Sequence, residues 1–302
     1  MVLRWNSAND LEQTKHVIVF SGGACNIRDS YGRLLRNVER DRINDWLTKQ
    51  DVQFYDPQIH PDTHGCEYDF EKHHELEMSA REHAKINLYE ISPRTFGGST
   101  GLEIAVDAFQ YNHPMIIFFS DGNYQKDIIP AHSSEGVPLF KPYGINDNDM
   151  ARTAHYQEFI KNANRMRRYL MRFAENLPSL TVTFSNQTFE GDVVITPERM
   201  HAADLFQAVV KAASGQRVIV NFTGGDEARD EKGNPTFIAP ENPKEMQLRT
   251  LLDQYVDEGY ALRRAISQLV RVNVFVRVVY TQRSAIDAIN DMLQIKGIKI
   301  AE

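Results

Sequence analysis

Apolar residues along this chain fall into two kinds of run. The runs His16-Val-Ile-Val-Phe-Ser21, Val52-Gln-Phe-Tyr-Asp56, Ile86-Asn-Leu-Tyr-Glu-Ile91 and Met115-Ile-Ile-Phe-Phe119 are short and rich in β-branched and aromatic residues. That is the signature of buried strands. Over 33–49, by contrast, Leu34, Leu35, Val38, Ile43, Trp46 and Leu47 recur at helical spacing, and a further helix reaches about Ala84. Gly22-Gly23 breaks the first strand, and a polar loop follows to about Gly32. Pro57 stops the second, and a histidine-rich loop follows to about Tyr68. Strands alternating with helices predict an α/β fold, a doubly wound parallel sheet of Rossmann or flavodoxin-like type.

The second half repeats the alternation. Residues 121–150 are rich in Gly, Pro, Asp and Asn and read as a long loop or lid. A long helix is expected over about Arg152–Asn176, carrying the basic patch Asn164-Arg-Met-Arg-Arg-Tyr169. Leu180-Thr-Val-Thr-Phe184 and Asp192-Val-Val-Ile-Thr196 flank a turn and predict a hairpin. A helix from Pro197 to about Ala213 and the strand Arg217-Val-Ile-Val-Asn-Phe222 come next. Asn242-Pro243 opens a helix to about Leu269, since proline fits the first helical position. The strand Val272–Tyr280 and a helix over about Gln282–Leu293 follow. These patterns place one α/β domain over 1–150 and a second over 151–302. Arg217-Val-Ile-Val-Asn-Phe-Thr-Gly-Gly225 echoes His16-Val-Ile-Val-Phe-Ser-Gly-Gly23, but two strand–Gly-Gly turns fall short of a repeat.

Composition narrows the partners. A net charge of −7 argues against a nucleic-acid polymer, which needs a basic footprint. The start of the chain lacks the apolar stretch of a signal peptide and no run has the length of a membrane span, so a cytoplasmic protein without a membrane partner is expected. Cys25 and Cys66 form no CxxC, which speaks against a disulfide framework or a zinc ribbon. His60, His64, Cys66, His73 and His74 are the densest run of metal-ligand types, but their spacing matches no zinc pattern, and no metal or other cofactor is expected.

The densest chemistry lies between Ser92 and Ala108, Ser-Pro-Arg-Thr-Phe-Gly-Gly-Ser-Thr-Gly-Leu-Glu-Ile-Ala-Val-Asp-Ala. It reads as a glycine-hydroxyl turn between two strands, opening a helix with Glu103 in its first turn. Glycine lets backbone approach a ligand closely, and the free N–H groups of a helix start attract anions. A carboxylate there sits at the C-terminal edge of a parallel sheet, where open α/β folds bind ligands. Thr100-Gly-Leu-Glu103 also fits a capping box, in which the glutamate only ties down a backbone N–H.

Four features together resemble the nucleoside 2-deoxyribosyltransferase family, including its relatives that hydrolyse the glycosidic bond of nucleoside monophosphates. They are the small-residue loop Phe20-Ser-Gly-Gly-Ala24, the acidic helix Glu75-Leu-Glu-Met-Ser-Ala-Arg-Glu-His-Ala84, the strand Ile86–Ile91, and the helix start Ser99-Thr-Gly-Leu-Glu-Ile-Ala-Val-Asp-Ala108. The resemblance covers about residues 16–120 and not the second half. It implies an enzyme acting on the N-glycosidic bond of a nucleoside or nucleotide, with Glu103 as the nucleophile against an oxocarbenium-like C1′. Glu77, or its neighbour Glu75, corresponds to the acid that orients the sugar hydroxyls, although the family usually has the shorter aspartate there. The transferases also carry an aspartate just before the nucleophile; Thr95-Phe-Gly-Gly98 has no acid, which favours cleavage over transfer between bases.

Gly98, Ser99 and Thr100 offer backbone N–H groups and hydroxyls for a 5′-phosphate or sugar hydroxyl, and Gly22 and Gly23 face the same end. Arg28 is a candidate partner for the phosphate, although an arginine in such a stretch reads first as an exposed loop residue; Tyr31 and Tyr89 are candidates for base or sugar contact. Family members complete each pocket from a neighbouring subunit, which implies a homo-oligomer. Two other readings stay open. Gly97-Gly-Ser-Thr-Gly-Leu-Glu103 is similar, one position short, to the motif of lysine-decarboxylase-like phosphoribohydrolases. Alternatively the chain is a nucleotide-binding sensor without turnover.

Overall fold

The computed structural model describes residues 3–4, 11–23, 27–28, 34–35, 37–59, 70–92, 97–110, 113–120, 128–132, 138–142, 149–196, 201–223, 248–269 and 276–298. The chain opens with β1 (Leu3–Arg4), α1 (Leu11–Thr14), β2 (Val19–Gly23), β3 (Ile27–Arg28), β4 (Leu34–Leu35), α2 (Val38–Lys49) and β5 (Phe54–Asp56). It continues through α3 (Phe70–His83), β6 (Ile86–Ile91), α4 (Gly98–Gln110), β7 (Met115–Phe119), β8 (Ile128–His132) and β9 (Pro138–Pro142). The second half contains α5 (Asp149–Asn176), β10 (Leu180–Thr183), β11 (Val193–Ile195), α6 (Ala202–Ala213), β12 (Val218–Phe222), α7 (Leu248–Leu269), β13 (Val276–Val279) and α8 (Gln282–Ile295).

The main sheet has six parallel strands in the order β1-β5-β2-β6-β7-β13. Strand order reverses between β2 and β6, because the chain steps from β2 outward to β5 and then returns to β6 on the other side. This is the flavodoxin-like arrangement, with its ligand-binding crevice expected at the carboxyl ends of β2 and β6. Alternation along the strands feeds two apolar layers. Ile86, Leu88, Ile116 and Phe118 pack with Ile43 and Leu47 of α2 and with Ala285, Ile289 and Leu293 of α8. Tyr89, Ile91, Met115, Ile117 and Phe119 face the other way, onto a larger core that includes α3, α4, α5, α6 and α7. No helix among the described residues is long and apolar enough to cross a membrane.

The second half forms a smaller parallel sheet, β10-β12-β11. The expected hairpin between its first two strands is absent: β10 and β11 leave a gap that β12 fills, so that Val220 is paired on both sides, Val218 with β10 and Phe222 with β11, and all three are buried. Three other expectations change. Part of the 121–150 loop is the antiparallel pair β8–β9. Leu34–Leu35 pairs with Ile27–Arg28, and the helix starts later, at Val38, where the Asn37 side chain accepts from the Arg40 N–H. Finally, β13 joins the first sheet beside β7, with α8 covering one face, so the chain crosses residue 150 and then returns to complete the first domain's sheet.

A glycine sets the approach of β2 to β6. Gly23 has φ +129 and lies against β6, where an added Cβ would fall 2.5 Å from the Glu90 carbonyl oxygen and 2.8 Å from its nitrogen. Both obstacles are backbone, so neither yields easily. Gly23→Ala is expected to destabilise by about 3 kcal/mol or more, combining strain with a backbone clash. Gly215, with φ +91 and open space around it, provides the control: Gly215→Ala is expected to cost only the conformational strain, about 1–2 kcal/mol. Denaturant unfolding of the two variants checks this, and equal losses would remove the close-approach explanation.

Candidate active site

Charged residues enter the interior from two helices on the same face of the main sheet. On α3, the adjacent pair His73–His74 is followed by Glu77 and then by Arg81 at three- and four-residue intervals, which puts them on one side of the helix. All four are buried, whereas Glu75 is exposed. Between the two acids that the sequence leaves open, only Glu77 reaches the interior. On α4, Glu103 and Asp107 stand one turn apart and are the two charged residues of an otherwise apolar and small-residue helix.

Arg81 lies between these two carboxylates. Its Nη2 donates to Asp107 Oδ1 at 2.5 Å, and its Nη1 is 3.7 Å from Glu103 Oε1. Asp107 also accepts from the Tyr89 hydroxyl and, at 3.0 Å, from Asn87 Nδ2; Tyr89 in turn accepts from Arg81 Nε at 3.0 Å. From the second half of the chain, the Tyr169 hydroxyl donates to Glu103 Oε1 at 2.6 Å. Both neighbours of Glu103 therefore hold the same oxygen. Oε2 accepts no hydrogen bond from the described residues.

Burial pushes the Glu103 carboxyl up to about 8; Arg81 and the Tyr169 bond pull against the rise, while the charges of Glu77 and Asp107 add to it. Glu103 is thus held largely protonated at neutral pH. The His74 ring meets the Tyr169 ring edge-on, with centroids 5.4 Å apart. Burial, with Arg172 and Arg81 nearby, lowers His74 to about 3 and keeps it neutral.

The helix start decides the role of Glu103 as a cap. α4 begins at Gly98, and the Gly101 N–H already bonds the Gly97 carbonyl at 2.9 Å. Thr100 is therefore inside the helix and not its N-cap, and Glu103 falls in the second turn, not the first. A capping box at Thr100–Glu103 does not form. Gly98 and Gly101 have a packing use: an added Cβ would lie 1.8 Å from Met166 Sδ and 2.9 Å from Leu262 Cδ1 respectively. These glycines let α5 and α7 close on α4.

The remaining candidates are placed as follows. Gly22 and Gly23 end β2, in register with Tyr89 and Glu90 of β6. Ser99 Oγ is sealed from solvent and makes no hydrogen bond with the described residues, and Thr100 is buried. Arg28 is not an exposed loop arginine, since its side chain is 12% exposed and its Nε and Nη2 lie 3.4 Å from Glu158 Oε2 of α5. Tyr31, His60, His64 and Cys66 lie outside the described residues. A second polar group, unanticipated from sequence, orders the rim of the crevice. Asn37 Nδ2 donates to Glu90, and Asn44 joins Ser21 Oγ at 2.7 Å to Asp56 Oδ2 at 2.8 Å.

Sequence reasoning reached Glu103 and Glu77 but missed Arg81, Asp107 and Tyr169. For the first two a signal existed, since both are charged residues at helical positions whose neighbours one turn away are core. For Tyr169 there was none. No family model matches the sequence, and no curated protein matches it.

Linkage fixes the sign of a pH effect. The folded chain keeps the Glu103 proton from about 4.5, the ordinary value, up to about 8, while the unfolded chain has released it. Stability from this group is therefore full at low pH and falls as pH rises through that window, by on the order of a few kcal/mol. Glu103→Gln is expected to flatten that slope. In the folded protein, Glu77→Gln should lower the Glu103 titration midpoint and Tyr169→Phe should raise it, as read by side-chain carboxyl NMR. A wild-type midpoint near 4.5 would contradict the burial on which both shifts depend.

Proposed function

We propose that the chain breaks the N-glycosidic bond of a nucleoside or nucleoside 5′-monophosphate, with Glu103 as nucleophile and Glu77 holding the sugar hydroxyls. The observation that carries this reading is the one-sided grip on Glu103: Tyr169 and Arg81 hold Oε1, and Oε2 accepts no hydrogen bond from the described residues. A carboxylate so held keeps its orientation while one oxygen remains available for a developing positive charge. A second buried carboxyl on the facing helix, Glu77, close enough for its charge to act on Glu103, adds to it.

In the reaction Oε2 bonds to C1′ as the C1′–N bond breaks, and the electron pair leaves with the base, which takes a proton from solvent. Water then attacks C1′ and gives up a proton to solvent as the C1′–O bond of the ester breaks, and the carboxylate is restored. The stretch Thr95-Phe-Gly-Gly98 contains no second acid, which favours water over another base as acceptor. Ser99 Oγ, buried and unbonded among the described residues, is a ready donor to the 5′ end. Arg28 already meets Glu158, so a phosphate would have to compete for it. The family resemblance also carries a homo-oligomer into this reading.

A second reading is favoured by the protonation of Glu103: a carboxyl neutral at pH 7 suits a nucleotide-binding sensor that does not turn over. Incubation with nucleosides, nucleoside monophosphates and NAD, assayed for free base, separates the two. The enzyme reading expects base release, with kcat/KM rising toward about pH 8 as the nucleophile ionises. Glu103→Gln should lower kcat by about a thousandfold or more while the fold survives. Tight binding with no base released at any pH would establish the sensor, and near wild-type turnover in Glu103→Gln would end the mechanism.

A further inference from the structure

Outside the Glu103 site, the buried guanidinium of Arg167 meets no counter-charge among the described residues. Arg167 of α5 is 6% exposed. Its guanidinium carbon stands 4.0 Å from the centroid of the Phe184 ring and 5.9 Å from that of Phe222. Its Nε is sealed from solvent and makes no hydrogen bond, and no carboxylate or carbonyl among the described residues meets the group. The other buried arginines among the described residues are met, Arg40 by Asp56 and Arg81 by Asp107, and so are two half-buried ones, Arg28 by Glu158 and Arg263 by the Ser120 carbonyl. Ring faces offset only part of the cost of burying a cation.

Position supplies an independent pointer. Phe184 directly follows β10 and Phe222 ends β12, so Arg167 lies at the carboxyl edge of the smaller parallel sheet. Ligands of open parallel sheets bind at that edge. Stacking on a ring occupies a flat face of the guanidinium and leaves its N–H donors along the edge, where a carboxylate or phosphoryl group takes two parallel bonds. Phe184 is 44% exposed and gives the edge a contact with solvent. Residues two apart on a helix face different ways, so Arg167 is turned from Tyr169 and from Glu103.

We propose that the carboxyl edge of the β10-β12-β11 sheet is a second ligand site, where Arg167 binds the oxyanion group of a small molecule, a phosphoryl or a carboxylate. This site is separate from the one that carries the proposed reaction and does not depend on it.

Inorganic phosphate and acetate, titrated into the full chain, test this through the Nε–H resonance of Arg167 and through calorimetry. A saturable shift of that resonance is expected; tighter phosphate binding would identify a phosphoryl ligand, and tighter acetate binding a carboxylate. Arg167→Lys keeps the charge but loses the fork, and is expected to weaken binding about tenfold or more. Arg167→Met should abolish it and, without anion, raise the melting temperature by removing an unmatched charge. Glu103→Gln should bind like the wild type. The proposal is overturned if neither anion moves the resonance, if Arg167→Met or Arg167→Lys binds as the wild type does, or if Glu103→Gln loses the binding. Should Arg167→Met fail to fold, the wild-type resonance and Arg167→Lys still decide.

Discussion

The Arg81 guanidinium is the contact on which the interior of this protein depends. It is wholly buried and ties α3 to α4 through Asp107 and Glu103, and α3 to β6 through Tyr89. Removing one partner from such a pair typically costs about 3–5 kcal/mol, because the other charge is left stranded. Here the consequence is wider than a lost ion pair. Without Arg81, the carboxylate of Asp107 would be left buried with no cation against it among the described residues, on a helix that faces the carboxyl of Glu77. The charge that stands beside Glu103 is the same charge that joins α3 to α4.

α4 is where the two halves of the chain meet. Met166 of α5 fits over Gly98, Leu262 of α7 over Gly101, and Tyr169 reaches Glu103 from the side. Arg263 of α7 closes the carboxyl ends of β6 and β7, donating to the Ser120 carbonyl and, at 3.4 Å, to that of Ile91. The second half is therefore a wall of the Glu103 site. Glycine in a helix usually weakens it, and on α4 that loss is offset by the close approach of two neighbouring helices.

Much of the fold was legible because it was written in local patterns. Continuous apolar runs gave the central strands β2, β5, β6 and β7, and helical spacing gave α2, α5 and α8 to within a turn or so. What failed were decisions made at long range. Leu34 and Leu35 fit a helical pattern, yet pairing with Ile27–Arg28 takes them. Leu180–Thr183 and Val193–Ile195 look like two arms of a hairpin until β12, which comes later in the chain, claims both. The site divides the same way: Glu103 and Glu77 lie on motifs and were within reach, whereas Tyr169 reads as one residue of a basic patch, and only packing across 66 residues of sequence reveals its partner.

The place of β13 bears on how the chain can be made. β7 is buried along its whole length, with β6 on one side and β13 on the other. During synthesis β7 leaves the ribosome long before β13 exists, so one flank of an entirely apolar strand waits with unmet N–H and carbonyl groups. An edge of that kind pairs readily with another chain. Contacts so distant in sequence also form slowly, which lengthens the wait. The helices of the second half, packing early against α4, cover its face but not this flank. A nascent or truncated chain that stops before Val276 keeps the flank open for good, so its characteristic failure is clumping with its own kind.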